Sequence, residues 1–350
     1  DGSQAPLKKA FRKLHRKLTP KALRFLMGFR RQVSHLQQVF EQHPVDAIHF
    51  SDLGAEPPIL AARRAGAARL TGVLNCVPPA DQFRQCWAYR RLEMQCLSAV
   101  DGLAAVSAEG KNLWTERTGI APEQVGVIHN ATEIPSVEHV RQIHNQVRRE
   151  LGIPPDAPAV GVSATLAPRK GHTYLLKAFA DVLKQVPDAW LLLAGDGPAR
   201  RFLQDEAKEL GIENRVRFLG HREDMDRIVQ AYDVVALTSV AIESCPFSVI
   251  EGMSYGKPAV VSEAGGMPEI VADGRTGRVV PVRDPQATAS ALVSLLGNRE
   301  TRERMGRAAR ERVKKHFNAE QMVEQTLRLM LGRDDDDSEP LLSKGLSRRG

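Results

Sequence analysis

Cysteine is scarce. Cys76, Cys86, Cys96 and Cys245 are the four in the chain. They make neither a C-x-x-C pair nor a zinc spacing, which excludes a disulfide framework and fits a reducing compartment. Long apolar runs are missing too: stretches such as Trp190–Ala194 and Val234–Leu237 fall far short of the ~18 residues a membrane-spanning helix needs. Bounded by polar residues and glycine, they read as buried strands. No leader pattern is visible at the start, which is Asp1 rather than Met, and the sequence reads as lacking its extreme N-terminus. At 42% hydrophobic and 26% charged residues, a collagen-like, mucin-like or wholly disordered chain is excluded.

Acidic residues are nearly absent from the first 40 positions, where ten lysines and arginines stand against Asp1 alone. The net charge of +7 therefore belongs to a basic arm, and the remainder is close to neutral. Binding to nucleic acid is not implied for the protein as a whole. Within the arm, Leu7, Phe11, Leu14 and Leu18 form one helical stripe. Thr19-Pro20 suits the start of a second helix carrying Leu23, Leu26, Val33, Leu36 and Phe40 inward. The arm reads either as helices packed on a domain or, through residues 7–31, as a contact with an anionic membrane surface.

From residue 45 the rhythm becomes strand, loop, helix, which indicates a parallel sheet with helices on its faces. Strands are predicted at Asp46–Phe50, Arg69–Leu74, Gly102–Val106 and Val125–His129, with helices at 57–65 and 82–98. Ser107 is placed to cap the next helix. Pro135, Pro154 and Pro155 surround a polar helix in a linker region. A second series follows, with strands at 159–164, 190–194, 216–219, 234–237 and 259–261. Helices are predicted near 172–185, 199–210, 223–231, 246–255, 286–297 and 299–330. The organisation is then a basic segment 1–44, a partial first domain 45–140, a second domain 141–332 and a disordered tail 333–350.

The second half holds motifs at predicted strand ends, the edge where open α/β sheets bind ligands. Leu166-Ala-Pro-Arg169-Lys170-Gly171 opens a helix and suits an anion, through backbone N–H groups, the helix dipole and the lysine charge. Gly195-Asp196-Gly197 allows a tight turn and close approach by a ligand. His221 and Arg222 follow the next strand. Glu243-Ser-Cys-Pro-Phe-Ser-Val-Ile-Glu251 carries two carboxylates across a loop-to-helix transition, with the amides of Phe247 and Ser248 at the helix start. Carboxylates bind vicinal hydroxyls well, and Glu251 stands amid Val249, Ile250 and Met253, where a carboxylate needs a partner. Gly265-Gly-Met-Pro-Glu269 opens a further loop. His49 and His129 read as packing or surface residues, and His139 with His144 lacks a metal-ligand spacing.

Together these motifs make residues 159–317 resemble the donor domain of the family-4 retaining glycosyltransferases, and the resemblance extends back to about residue 45. It implies an α/β GT-B fold: two Rossmann-like domains facing a cleft, the N-terminal one incomplete. It also implies transfer of a sugar from a nucleotide sugar to a hydroxyl acceptor, without metal or further cofactor. A cytoplasmic enzyme is expected, and peripheral attachment to the inner face of the membrane goes with the second of the two readings of the basic arm. UDP-, GDP- and ADP-linked donors all remain open. On the matching positions Lys170, with Arg169, would hold the diphosphate and Glu251 the ribose hydroxyls. Glu243 would face the sugar, with the Phe247 and Ser248 amides on its hydroxyls. Gly195, Asp196, Gly197, His221 and Arg222 would line the nucleotide. The chain departs from the family at Thr165, where an arginine is usual, and at Asn75, where a histidine is usual. Its first domain also lacks the glycine-rich first strand-turn. Arg169 adjoins Lys170, but neighbours in an extended turn point apart. The competing readings are a non-catalytic relative and a nucleotide-sugar epimerase.

Overall fold

The computed structural model describes residues 20–51, 56–76, 87–136 and 143–332. The Leu7–Leu18 stripe, Thr19, Cys86, His139 and the tail from 333 lie outside the described residues. Contacts group the chain into two units. The first comprises residues up to 106, 110–128 and from 324; the second comprises 107–109 and 129–323.

In the first unit four parallel strands run in chain order, β1 (Ala47–Ser51), β2 (Arg69–Leu74), β3 (Gly102–Ala105) and β4 (Val125–Val127). Helix α1 (Pro20–Gln42) precedes them, and α2 (Pro57–Arg64), α3 (Trp87–Ser98) and α4 (Ala108–Thr118) connect them in turn. α1 turns Phe29 and Val33 into a core with Ile59, Leu70, Leu74, Leu92 and Trp114, while Leu26, Leu36 and Phe40 pack partly buried at its margin.

The second unit begins with α5 (His144–Glu150), the polar linker helix. The fully buried Arg148 fastens it, donating to Pro155 O, Ala157 O, Ala231 O and the Asp233 carboxylate. Six parallel strands follow: β5 (Ala159–Ser163), β6 (Trp190–Ala194), β7 (Val216–Gly220), β8 (Val234–Leu237), β9 (Ala259–Ser262) and β10 (Gly277–Val280). Their order in the sheet is β10-β9-β8-β5-β6-β7. The helices are α6 (His172–Gln185), α7 (Arg200–Glu209), α8 (Met225–Ile228), α9 (Phe247–Ser254), α10 (Met267–Ile270), α11 (Pro285–Leu296) and α12 (Arg299–His316). The four central strands, β5, β6, β8 and β9, are almost wholly buried, as expected of a sheet covered on both faces, and the edge strands β7 and β10 are partly exposed. Successive strands leave β5 in one direction as β6 and β7, and β8 to β10 lie on its other side. The order reverses between β5 and β8, and in such sheets ligands bind beyond the carboxyl ends of the strands at that point.

Two expectations change. The sequence pattern misses β10, a short strand interrupted by Arg278. The single helix predicted over 299–330 is two, because Asn318 breaks it: its side chain accepts from Gln321 N at 2.9 Å and so starts α13 (Ala319–Leu331). α13 returns to the first unit, where Arg69 donates to Leu329 O at 3.1 Å.

Candidate functional site

The turns after β5 and β8 meet at the reversal. After β5, Pro168–Lys170 forms a 3-10 turn ending at Gly171, whose φ is 70°. A Cβ there would lie 1.9 Å from Thr238 O, so the turn presses directly on the end of β8 and only glycine fits. Val240 N donates to Arg169 O at 2.9 Å, locking the two loops together.

This packing delivers opposite charges to one point. Glu243 Oε1 accepts from Lys170 Nζ at 2.7 Å, from Ser239 Oγ at 2.7 Å and from Arg169 Nη1 at 3.2 Å. The Lys170 and Glu243 side chains are only 12% and 10% exposed, whereas Arg169 is 56% exposed. The expectation that Arg169 and Lys170 point apart is overturned, because the 3-10 turn curls both side chains toward the same carboxylate. Thr165 stands exposed on the same loop. Ser239 escaped the sequence reading; its only signal is a hydroxyl just past a buried strand, four residues before Glu243.

The backbone of Glu243 is fixed too. Its carbonyl accepts from Gly266 N at 2.8 Å, and Asn130 Nδ2 donates to Cys245 O at 2.7 Å. Cys245 is buried, which pushes its thiol up to about 12 and leaves it inert. With Pro246 before it, α9 starts at Phe247, so the Phe247 and Ser248 amides sit in the first turn, where no intrahelical acceptor exists. One turn on, the Glu251 carboxylate is half-buried and meets no hydrogen-bond partner among the described residues. Burial alone raises its pKa above the ordinary value. A carboxylate held this way is ready for a ligand with hydroxyls.

After β6, Gly195 has a φ of 138°, and a Cβ would lie 2.1 Å from Ala164 O. The turn is zipped to its neighbours by Leu166 N to Asp196 O at 3.0 Å and by Gly195 N to Gly220 O at 2.7 Å. Asp196 accepts from Gly197 N and from Arg200. His221 is exposed past β7, but Arg222 forks onto Asp224 at 2.8 and 2.7 Å and is already paired. Thus Arg169, Lys170, Glu243 and the first turn of α9 gather at the reversal, Gly195–Gly197 closes against the β5 loop, and Arg222 is engaged elsewhere. His172 is buried with neither ring nitrogen bonded; burial, then the Lys170 charge, bring its pKa down to about 4, so it is neutral.

Glu269, which the sequence places in the loop opened by Gly265-Gly266, has partners that the sequence does not reveal. Its carboxylate accepts from Ala108 N at 2.8 Å and Glu109 N at 2.9 Å, both residues of the second unit, and pairs with His129 Nε2 at 3.2 Å. His129 therefore has a carboxylate partner and lies edge-on to Phe317. Burial pushes the Glu269 carboxyl up, but the His129 contact and the two amides outweigh it and hold the group below its ordinary value. Among the described residues no three His, Cys, Asp or Glu are grouped to hold a metal ion, and no helix is long and apolar enough to cross a membrane.

Residues 144–312 match glycosyl transferases group 1, and residues 6–131 match the glycosyl transferase 4-like domain. The chain belongs to the group 1 glycosyl transferases, and its fold is GT-B. It is 32% identical over 257 residues to the D-inositol 3-phosphate glycosyltransferase of Corynebacterium efficiens, covering 70% of this chain and 60% of that protein. It is 33% identical over 180 residues to the N-acetyl-alpha-D-glucosaminyl L-malate synthase of Bacillus anthracis, covering 51% and 47%. Among solved structures, Anabaena HepE in complex with UDP gives a TM-score of 0.75 at 24% identity, over 86% of this chain and 82% of that one. Sucrose-phosphate synthase of Thermosynechococcus elongatus gives 0.69 at 23%, over 86% and 76%. The chain spans about 60% of the length of the first of these relatives.

Proposed function

We propose that this protein transfers a sugar from a nucleotide sugar to a hydroxyl acceptor, with retention at the anomeric carbon and without a metal ion. The observation that carries this reading is the meeting of Lys170, Arg169 and Glu243 at the sheet reversal, together with Glu251 one turn into the helix that follows, a carboxylate with no hydrogen-bond partner among the described residues. In this reading Lys170 stabilises the charge that grows on the departing diphosphate, the part a metal plays elsewhere. The α9 amides and Glu243 hold hydroxyls of the sugar, and Glu251 holds those of the ribose. The UDP complex of the structurally similar HepE makes UDP-sugars the first donors to try.

The test incubates the chain with UDP-, GDP- and ADP-sugars and an alcohol acceptor, with and without EDTA. Release of nucleoside diphosphate that EDTA leaves unchanged, and a product of the donor's own anomeric configuration by NMR, are the expected results. Binding of diphosphate with no turnover would favour the non-catalytic reading, for which Asn75, donating to Ser51 Oγ at 2.6 Å, is the supporting observation.

Residues 7–31 extend the proposal to an anionic membrane surface on the cytoplasmic side. Each basic residue near such a surface contributes about 1 kcal/mol. Sedimentation with vesicles should need anionic lipid and weaken with salt; equal binding to neutral vesicles overturns it.

A further inference from the structure

We infer that Arg169 and Lys170 act as one two-cation clamp that Glu243 occupies in the unliganded protein, and that the diphosphate of a bound nucleotide takes the clamp over from this carboxylate. The inference rests on reading this site as the donor site.

Three donors converge on a single oxygen, Glu243 Oε1, and two of them carry full positive charge. One carboxylate balances one cation, so the cluster keeps an excess positive charge at the exposed Arg169. A diphosphate, with more charge and more acceptor oxygens, satisfies both cations better than one carboxylate does. The turn cannot relax to separate them, since Gly171 is wedged against Thr238 O and Val240 N holds Arg169 O. Thr165, uncharged, leaves these two as the cations of this turn. Once they turn to the phosphates, Glu243 keeps its bond from Ser239 and its remaining acceptor sites become free for sugar hydroxyls. Filling the diphosphate position thereby releases the group that meets the sugar.

The exchange predicts an unusual sign. Removing the Glu243 charge deletes the competitor, so binding of free diphosphate should tighten. Calorimetry with UDP, and with uridine as a probe lacking phosphates, is run on the full chain and on Glu243→Gln, Arg169→Gln and the double variant. Glu243→Gln should bind UDP about 5- to 20-fold more tightly, with uridine unchanged, as expected for deleting a competing, partly buried charge pair. Arg169→Gln alone should weaken UDP about 3-fold, since it loses a partner in both states, and about 10-fold when added to Glu243→Gln. Unchanged or weaker UDP binding by Glu243→Gln, with uridine binding intact, overturns the clamp while the donor-site reading stands. Should that variant fail to fold, Arg169→Gln decides, and an unaltered UDP affinity there overturns the clamp. Failure of the unaltered chain to bind either probe overturns the donor-site reading and the clamp with it.

Discussion

In the first unit, β1 and β2 run out at Ser51 and Asn75, a hydroxyl and an amide bonded to each other at 2.6 Å. In the second, β5 and β8 run out into Lys170 and Glu243, opposite charges joined at 2.7 Å. Both sheets are parallel and follow the same βα rhythm, so their architecture alone does not say where the chemistry lies. The difference is at the edge. Neutral side chains are bonded to each other at Ser51 and Asn75, whereas the second edge leaves a half-buried carboxylate without a partner among the described residues and an oxygen shared by two cations. Function resides in such groups and not in the fold that carries them.

Glycine substitutions should divide the units most sharply. Gly171→Ala forces a Cβ to 1.9 Å from Thr238 O at a φ of 70° and should cost about 3 kcal/mol or more. Gly66→Ala, at a φ of 90° with nothing within 4 Å, should cost about 1 kcal/mol. Equal denaturant midpoints for the two variants would erase the contrast.

Glu251→Gln should weaken UDP about 10- to 150-fold, the worth of hydrogen bonds to a charged group. It should also stabilise the free protein. A carboxyl whose folded pKa is raised carries its ionisation penalty above that pKa and none below its unfolded value. The variant should therefore melt higher than the parent at pH 7 and at the same temperature near pH 3. A lower melting temperature at pH 7 would mean that Glu251 already has a partner.

Glu269 should show the opposite dependence. Its folded pKa is lowered, so its contribution is complete above the ordinary value of 4.5 and fades as pH falls through the folded pKa. Glu269→Ala exposes two amide donors and should cost about 2 kcal/mol at pH 7. The gap from the parent should narrow under acid, and a constant gap would refute the electrostatic account. The smallest effect is expected at the quiet edge. Asn75→Ala should cost about 1 kcal/mol and leave UDP affinity unaltered. A loss of UDP binding there would give the first unit a part in holding the donor.

Much of this was legible in the residues. Helix α6 falls at 172–185 and strand β6 at 190–194, where periodicity and apolar runs put them, because a covered sheet demands continuous hydrophobic strands. Glu243 and Glu251 stood out by their spacing across a loop-to-helix transition and by the apolar neighbours of Glu251, Val249, Ile250 and Met253. The break at Asn318 was missed because a capping asparagine inside a charged helical pattern looks like any surface polar residue. Strand β10 was missed because Arg278 sits within only four residues.

By itself, then, the sequence determined the family, the alternation of strands and helices, and the edge on which the glycines, cations and carboxylates would fall. Those are properties of residue type and spacing along the chain. Which of these groups meet was decided only by the tertiary structure. Arg169 joins Lys170 on one oxygen of Glu243 because a 3-10 turn replaces an extended one. Arg222 is taken by Asp224, and Glu269 reaches back 161 positions to accept from the Ala108 amide within the second unit. The meeting of Arg169 and Lys170 with Glu243 depends on β5 and β8 lying side by side, which brings loops more than seventy residues apart to one place, and nothing in local propensity encodes that order.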